Sequence, residues 1–196
     1  MFSCILLSAG ASSRFGSPKA LARHKGETVV GSMQKMLLNT QIGEIIVVLG
    51  AQADQIQPHV LKHTKIKFVY NKDHNFGQTS SFKAGLRVTS RDSEAFLLLP
   101  IDYPFISGKT IDQEIAFYRK NAPLIIIPAW EGRKGHPPLF AGSLREDILA
   151  LKDQYGLNSV AHAHPAETEI LPVTDPGVIQ TFNTPEEFKM LKQSDA

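Results

Sequence analysis

The chain has 196 residues, of which 42% are hydrophobic and 20% charged, and 21 Lys and Arg against 19 Asp and Glu give a formal net charge of +2. The length suits one α/β domain with its own core, and the balanced charge argues against a general nucleic-acid binder. A single cysteine excludes an internal disulfide, and without a secretory leader pattern or a membrane-spanning apolar run we expect a soluble cytoplasmic protein.

Short apolar runs alternate with amphipathic segments along most of the chain. The runs are rich in Ile, Val, Leu and Phe and predict strands covered on both faces; they are CILLSA (4–9), EIIVVLG (44–50), IKFVYN (66–71), AFLLLP (95–100) and LIIIPAW (124–130). Helices are predicted between or beside them, over 29–40, 53–63, 80–88 and 108–120. This alternation predicts βαβ crossovers and an α/β fold with a mostly parallel sheet.

The alternation weakens after residue 130. GHPPLF (135–140) and TEILPV (168–173) predict strands without clear crossover helices between them, so we expect a mixed or antiparallel part of the sheet there. Helices are predicted over 143–153 and 184–193, the latter with Thr184 as N-cap and Pro185 at the first helical position. No repeat or linker interrupts the chain, so residues 1–196 are predicted to form a single domain.

The first predicted strand ends in the loop LLSAGASSRFGSPKAL (6–21). Its glycines allow backbone amides to turn inward as anion donors, and its hydroxyls and two cations add further phosphate ligands. The residues concerned are Gly10, Ser12, Ser13, Arg14, Gly16 and Lys19. The spacing fits neither a Walker A loop nor a dinucleotide fingerprint. Composition alone is equally consistent with a triphosphate site and with an ordinary loop carrying solvated charges.

A second strand ends in PIDYPF, where Asp102 lies between Pro100 and Pro104. A carboxylate held at a strand exit is a suitable Mg²⁺ ligand, because Mg²⁺ needs only one or two protein oxygens beside substrate phosphates. Taken alone, the aspartate fits better as a turn residue that stabilises its own backbone.

Together, these segments resemble the MobA-like nucleotidyltransferases, the family of the molybdenum cofactor cytidylyltransferases and guanylyltransferases. LLSAGASSRFGSPK (6–19) matches the signature L-A-[AG]-G-x-S-x-R-[MF]-G-x-x-K except at Ser8. Further matches follow in the family's order, at NFGQTSSFKAGL (75–86), PIDYPF (100–105), GRKGHPPLF (132–140) and FNTPEEF (182–188). The resemblance implies a single-domain, Rossmann-like three-layer fold similar to the nucleotide-diphospho-sugar transferases, and a nucleoside triphosphate substrate.

The resemblance also implies roles for individual residues. It assigns nucleotide binding to Ala9, Gly10, Ser12, Ser13, Arg14, Lys19, Gly77, Ser80 and Ser81. Lys19 is the candidate for stabilising the α-phosphate and Arg14 for the β- and γ-phosphates, while Asp102 binds Mg²⁺ together with Asn183. His136 is expected either to bind the acceptor or to brace a tight turn.

The expected reaction is transfer of CMP from CTP to the phosphate of a molybdopterin-type cofactor, with release of pyrophosphate. Ala9 and the segment SSFKAGL favour cytidine, and GTP is the alternative nucleotide. Two other functions remain open: nucleotidyl transfer to another small phosphorylated acceptor, and a non-catalytic carrier that contacts a molybdoenzyme such as a xanthine dehydrogenase. The triphosphate residues argue against a carrier. His59 and His63 have helical zinc-pair spacing but are expected to be solvated helix-face residues, because no third ligand is indicated nearby.

Overall fold

A mixed eight-stranded β-sheet lies at the centre of the computed structural model, which describes residues 1–194. Two further short strands pair in a separate antiparallel hairpin. In chain order the strands are β1 (Phe2–Ser8), β2 (Arg23–His24), β3 (Glu27–Thr28), β4 (Glu44–Leu49), β5 (Ile66–Tyr70), β6 (Ala95–Pro100), β7 (Ile125–Trp130), β8 (Arg133–Lys134), β9 (Leu139–Ala141) and β10 (Thr168–Pro172).

The strand order across the sheet is β10-β7-β9-β6-β1-β4-β5, and β8 pairs with β7 outside this path. β1 pairs in parallel with β4 and β6, and β4 pairs in parallel with β5. β9 is antiparallel to both β6 and β7, whereas β10 is parallel to β7. The carboxyl ends of β1, β4, β6 and β7 therefore meet at one edge of the sheet.

Helices cover both faces of the sheet, in three layers. They are α1 (Val29–Leu38), α2 (Ala53–Ile56), α3 (Gln78–Leu86), α4 (Gly108–Asn121), α5 (Arg145–Ala150), α6 (Asn158–Ala163) and α7 (Pro185–Ser194). Phe2, Cys4 and Leu6 of β1 join a buried cluster with α1, α2, α4 and α7. Ile5 and Leu7 face the other way and join a cluster with α3, α5 and α6, as the two-residue period of a strand requires. None of these helices is both long and apolar enough to cross a bilayer.

The predicted α/β fold with a mostly parallel, partly mixed sheet is confirmed, and the main strands and α1, α3, α4 and α7 lie close to their predicted positions. Thr184 is the N-cap of α7, since its Oγ1 accepts the Glu187 N–H at 3.2 Å. β5 is an exception to the expected burial. It is an edge strand, and Phe68 and Tyr70 are 50% and 53% exposed.

The helix predicted over 53–63 is wrong. α2 ends at Ile56 and a 3₁₀ turn covers Gln57–His59, because Pro58 lacks an N–H and its ring would clash with the preceding turn of a continued α-helix. His59 and His63 therefore do not share a helix face.

The predictions after residue 130 also need correction. GHPPLF is a strand only from Leu139 onward, where β9 begins, since the two prolines before it cannot donate to a ladder. The 143–153 helix is reduced to α5, after a 3₁₀ turn at Gly142–Leu144. The β2–β3 hairpin and α6 were not predicted, because segments of two and six residues are too short to show a hydrophobic period.

Candidate active site

A cleft of about 290 Å³ opens at the carboxyl end of β1. One wall is the loop that follows β1, and the other is the beginning of α3 with the residues just before it. The lining also includes Ile56 at the end of α2, Ile101 and Asp102, which follow β6, and Asn183, which precedes α7. This is the edge at which open α/β sheets bind ligands, because strand exits and helix N-termini converge there.

The loop after β1 is held in a tight turn by its own atoms. Ser12 has a φ of 51°, a left-handed conformation unusual for a residue with a side chain. Its carbonyl accepts the N–H groups of Phe15 and Gly16 at 2.9 and 3.1 Å. Its hydroxyl accepts the Lys19 N–H at 3.2 Å. The turn thereby brings the side chains of Arg14 and Lys19 to the same cleft.

Arg14, Lys19, Asp102 and Asn183 form one polar cluster at the cleft. Arg14 Nη2 donates to Asn183 Oδ1 at 2.9 Å. Lys19 Nζ donates to the same oxygen at 3.0 Å and to Asp102 Oδ2 at 3.4 Å. The Lys19 ammonium also lies 5.3 Å from the centre of the Phe182 ring, a distance at which a cation is attracted to an aromatic face.

Hydrogen bonds of the backbone N–H groups hold Asp102 and Asn183, the two residues of this cluster with side-chain oxygens, beside each other. The Phe182 N–H donates to the Asp102 carbonyl at 3.3 Å, which joins the exit of β6 to the segment before α7. The Asn183 N–H donates to Glu187 Oε2 at 2.5 Å, in the first turn of α7. Asp102 and Asn183 therefore meet although they are far apart in the sequence.

The donor set of this cluster fits a magnesium ion. Asp102 Oδ2 and Asn183 Oδ1 converge on one cationic atom, Lys19 Nζ. Mg²⁺ takes oxygen ligands and commonly keeps several waters beside one or two protein groups and substrate phosphates. A denser carboxylate or histidine cluster of the kind that holds a metal by itself does not occur within residues 1–194. Such an ion would need substrate oxygens as well.

The opposite wall begins with Gly77, which has a φ of 93° and precedes the first residue of α3. Gly77 and Ser81, to which the family resemblance assigns nucleotide binding, line the cleft together with His74 and Gln78. Gln78 belongs to the matched segment NFGQTSSFKAGL (75–86) and His74 immediately precedes it, so the nearness of both residues to that segment was the available signal for them.

Ser80 was also predicted to bind nucleotide, but the described lining of the cleft does not include it. Its hydroxyl donates to the carbonyls of Asp73 and Gly77 at 2.8 and 3.0 Å. Asn71 Nδ2 donates to the hydroxyls of both Ser80 and Ser81 at 3.1 Å. Ser80 thus holds the turn before α3, and Asn71, which the sequence analysis missed, supports the two serines.

Ser8, the one position at which the loop differs from the family signature, also lines the cleft. It is 3% exposed, and its hydroxyl has no hydrogen-bond partner within the described part of the chain. Ala9 and Gly10 continue the lining from this point.

His136 lies on the segment that leads into β9, and the described residues around the cleft do not include it. The backbone N–H of His136 donates to the Val178 carbonyl at 2.8 Å, and the centre of its ring is 4.5 Å from that of Tyr103. Burial lowers the pKa of His136, although a hydrogen bond with the Leu98 backbone and the charge of Asp102 act in the opposite direction. These contacts are those of a histidine that braces a turn.

The sequence model of a family described as "MobA-like NTP transferase domain" matches residues 4–168. A protein named "Nicotine blue oxidoreductase" from Paenarthrobacter nicotinovorans is 25% identical over an alignment that covers 95% of this chain and 94% of that protein. A "Probable molybdenum cofactor guanylyltransferase" from Bacillus cereus (strain B4264) is 31% identical over an alignment that covers 75% of this chain and 72% of that protein.

Among solved structures, Rv0371c from Mycobacterium tuberculosis H37Rv superposes with a TM-score of 0.84 at 21% identity, covering 98% of this chain and 97% of that chain. A complex of Rv0371c with manganese superposes with a TM-score of 0.80 at 21% identity, over 98% of both chains. At this level of identity the likeness shows a shared fold.

Proposed function

Because this chain belongs to the family of MobA-like NTP transferase domains, we propose that it transfers CMP from CTP to the phosphate of a molybdopterin-type cofactor and releases pyrophosphate. It is a nucleotidyltransferase of the MobA-like type. The observation that carries the proposal is the meeting of Arg14 and Lys19 with Asp102 and Asn183 in one cleft. Two cations and a pair of oxygen donors for a metal are the groups that phosphoryl chemistry requires.

In the proposed reaction an oxygen of the acceptor phosphate forms a bond to the α-phosphorus, and the bond from that phosphorus to the bridging oxygen of the β-phosphate breaks. The acceptor oxygen is already anionic near neutral pH, so the protein needs no nucleophile or base of its own. Lys19 stabilises charge that grows on the α-phosphate, and Arg14 binds the β- and γ-phosphates. Asp102 and Asn183 would hold Mg²⁺, which when bound would supply further charge neutralisation.

The nucleotide is proposed to bind along both walls of the cleft. Gly10, Ser12 and Ser13 supply amides and hydroxyls to the phosphates, as suits a turn whose N–H groups face an anion. Ala9, Gly77 and Ser81 lie beside the base or ribose. Ser80 contributes indirectly, through its hydrogen bonds to the turn at Gly77.

CTP is the proposed nucleotide because Ala9 and the segment SSFKAGL depart from the guanine-specific patterns of the family. The relative from Bacillus cereus is named as a guanylyltransferase, which makes GTP the alternative. For the acceptor, His136 remains the proposed contact. Its buried Nδ1 has no hydrogen-bond partner among residues 1–194, so a histidine that braces the turn still has one ring nitrogen for a hydrogen bond to the acceptor.

The test is pyrophosphate release by the purified protein with Mg²⁺, molybdopterin and each of the four nucleoside triphosphates in turn. We expect CTP to give the fastest release, dependent on molybdopterin, and to raise the melting temperature more than GTP at equal concentration. Lys19→Ala should lower turnover by about a hundredfold or more. The control is Lys120→Met, an exposed residue on α4, which should behave as wild type.

Preference for GTP would overturn the cytidine assignment and keep the class of reaction. Pyrophosphate release that needs a different phosphorylated acceptor would overturn the pterin assignment. No release with any triphosphate would contradict nucleotidyl transfer and favour the carrier role.

A second candidate function is oxidoreduction, favoured by the match of 95% of this chain to a protein named as an oxidoreductase. The loop after β1 lacks the glycine spacing of a dinucleotide fingerprint, and the cation pair supports a triphosphate instead. Decolourisation of nicotine blue with a reduced nicotinamide cofactor would distinguish the two functions.

A further inference from the structure

The side-chain oxygens of the proposed metal ligands already accept hydrogen bonds from cationic side chains of the protein itself. Lys19 Nζ contacts both Asn183 Oδ1 and Asp102 Oδ2, at 3.0 and 3.4 Å. Arg14 Nη2 donates to the same Asn183 oxygen at 2.9 Å. An amide oxygen has two lone pairs, so the two donations use the accepting capacity of Asn183.

The charges lead to the same conclusion. Asp102 carries the single negative charge of the cluster, and it forms an ion pair with Lys19, whose side chain is only 12% exposed. A divalent cation that approached these oxygens would meet the positive charges of Lys19 and Arg14 at short range. Like charges in a partly buried cleft repel strongly, because the effective dielectric constant there is far below that of water.

When a triphosphate binds, the Lys19 ammonium can exchange its present contacts for phosphate oxygens. Its stem is long and flexible, and its ammonium takes part in ionic and aromatic contacts that a triphosphate can replace with stronger ones. A triphosphate in the cleft would offer several anionic oxygens to Lys19 and Arg14. Both cations would then leave Asp102 and Asn183 free.

We propose that Lys19 acts as an internal cation that keeps the metal site closed until a nucleoside triphosphate binds. Metal and triphosphate therefore bind in a mutually dependent manner, and the nucleotide-free protein has weak affinity for divalent metal. This inference rests on the proposed function, which supplies the triphosphate. By linkage, the metal strengthens triphosphate binding by the same factor.

The test measures Mn²⁺ binding to the nucleotide-free protein by titration calorimetry and by the electron paramagnetic resonance signal of free Mn²⁺. Lys19→Met removes the internal charge while keeping a long apolar side chain, and should tighten Mn²⁺ binding by about tenfold, within the range typical of coupled sites. Lys19→Arg keeps the charge and should stay within about twofold of wild type. Lys120→Met removes an exposed charge on α4 and controls for net charge.

A second measurement uses the melting temperature with Mn²⁺ alone, which should rise for Lys19→Met and change little for wild type. Melting curves without metal verify that the variant is folded. Mn²⁺ binding by folded Lys19→Met that is no tighter than by wild type would overturn the inference. An equal gain in Lys19→Arg would overturn it too, because the charge would then be irrelevant. These titrations use no nucleotide, so their outcome is independent of whether CTP is the substrate.

Discussion

At the scale of single residues, the pair of Asp102 and Asn183 decides whether the proposed chemistry is available. The family resemblance requires these two side chains to approach one ion, and both contact the same ammonium of Lys19. One is a carboxylate and the other an amide, so only Asp102 brings negative charge to the pair.

The first prediction concerns that charge. Asp102→Asn leaves two neutral amides and should lower kcat/KM by about a hundredfold or more, the scale of losing one preorganised electrostatic group. The melting temperature should fall only slightly, because the new amide keeps the size of the side chain and an oxygen for Lys19, which also keeps its hydrogen bond to Asn183. Steady-state pyrophosphate release and melting curves measure the two effects.

Asn183→Asp is the matched change in the opposite direction. It keeps the oxygen that Arg14 and Lys19 contact and adds a charge, so activity should be retained and the metal concentration for half-maximal rate should fall. Full activity of Asp102→Asn, or loss of activity in Asn183→Asp without unfolding, would show that this pair does not hold the metal.

At the scale of secondary-structure elements, close packing of the residue after β4 against the exit of β1 supports the loop that is proposed to bind the triphosphate. A Cβ placed on Gly50, just after β4, would lie 2.4 Å from the Ala9 carbonyl oxygen and 2.8 Å from the Ala9 Cα. These are backbone atoms, so the strain cannot be relieved by a side-chain rotation. The Ala51 N–H donates to the same carbonyl at 3.1 Å.

Gly50→Ala is therefore expected to destabilise the protein by about 1–3 kcal/mol, the usual cost of overpacking. It should also lower turnover by about tenfold or more, because displacement of a positioning segment by about an ångström has effects of that size. Urea unfolding and pyrophosphate release test the two parts. Gly10→Ala is the stability control, since its Cβ would meet no protein atom within 4 Å. Equal stability of the two variants would contradict the argument from packing.

At the scale of the whole molecule, a buried carboxyl group lowers the stability of the fold near neutral pH. Glu114 lies on α4, is 0% exposed, and neither of its carboxyl oxygens has a hydrogen-bond partner within residues 1–194. Burial raises the pKa of Glu114 well above its ordinary value of 4.5. The folded protein thus holds this proton over a pH range in which the unfolded chain has released it.

The sign of the pH dependence follows from this difference in bound protons. Between the unfolded and folded pKa values the native state binds one more proton, so the free energy of unfolding falls as pH rises, by about 1.4 kcal/mol per pH unit. Glu114→Met removes the group, and its stability advantage over wild type should grow at that rate above pH 4.5 until the folded pKa is reached. Urea unfolding of both proteins from pH 5 to 8 measures the difference.

Glu169→Met, at an exposed position on β10, is the matched control and should show no such divergence. Parallel stability curves for wild type and Glu114→Met over this range would mean that the carboxyl group finds a partner or is already ionised.

Much of the fold was predictable from the sequence because a strand that is buried on both faces of the sheet consists mainly of consecutive apolar residues. The central strands contain unbroken apolar runs such as IIVVL and AFLLLP. Pro58 was a local signal as well, because a proline cannot continue an α-helix, and α2 ends at Ile56, two residues before it. The sequence predicted the position of β10 but not its parallel pairing with β7, because that pairing depends on the placement of distant segments.

The sequence by itself determined the family, through five short segments in a fixed order, and with it the set of candidate residues. Only the tertiary structure decided which of them meet. Lys19 and Asn183 are 164 residues apart and share a hydrogen bond. The Ser80 hydroxyl instead donates to carbonyls of the turn before α3. The burial of Glu114 was equally beyond sequence reading. Periodicity along a chain records which face of an element is covered, but contacts between elements arise from strand order and packing, which no local pattern contains.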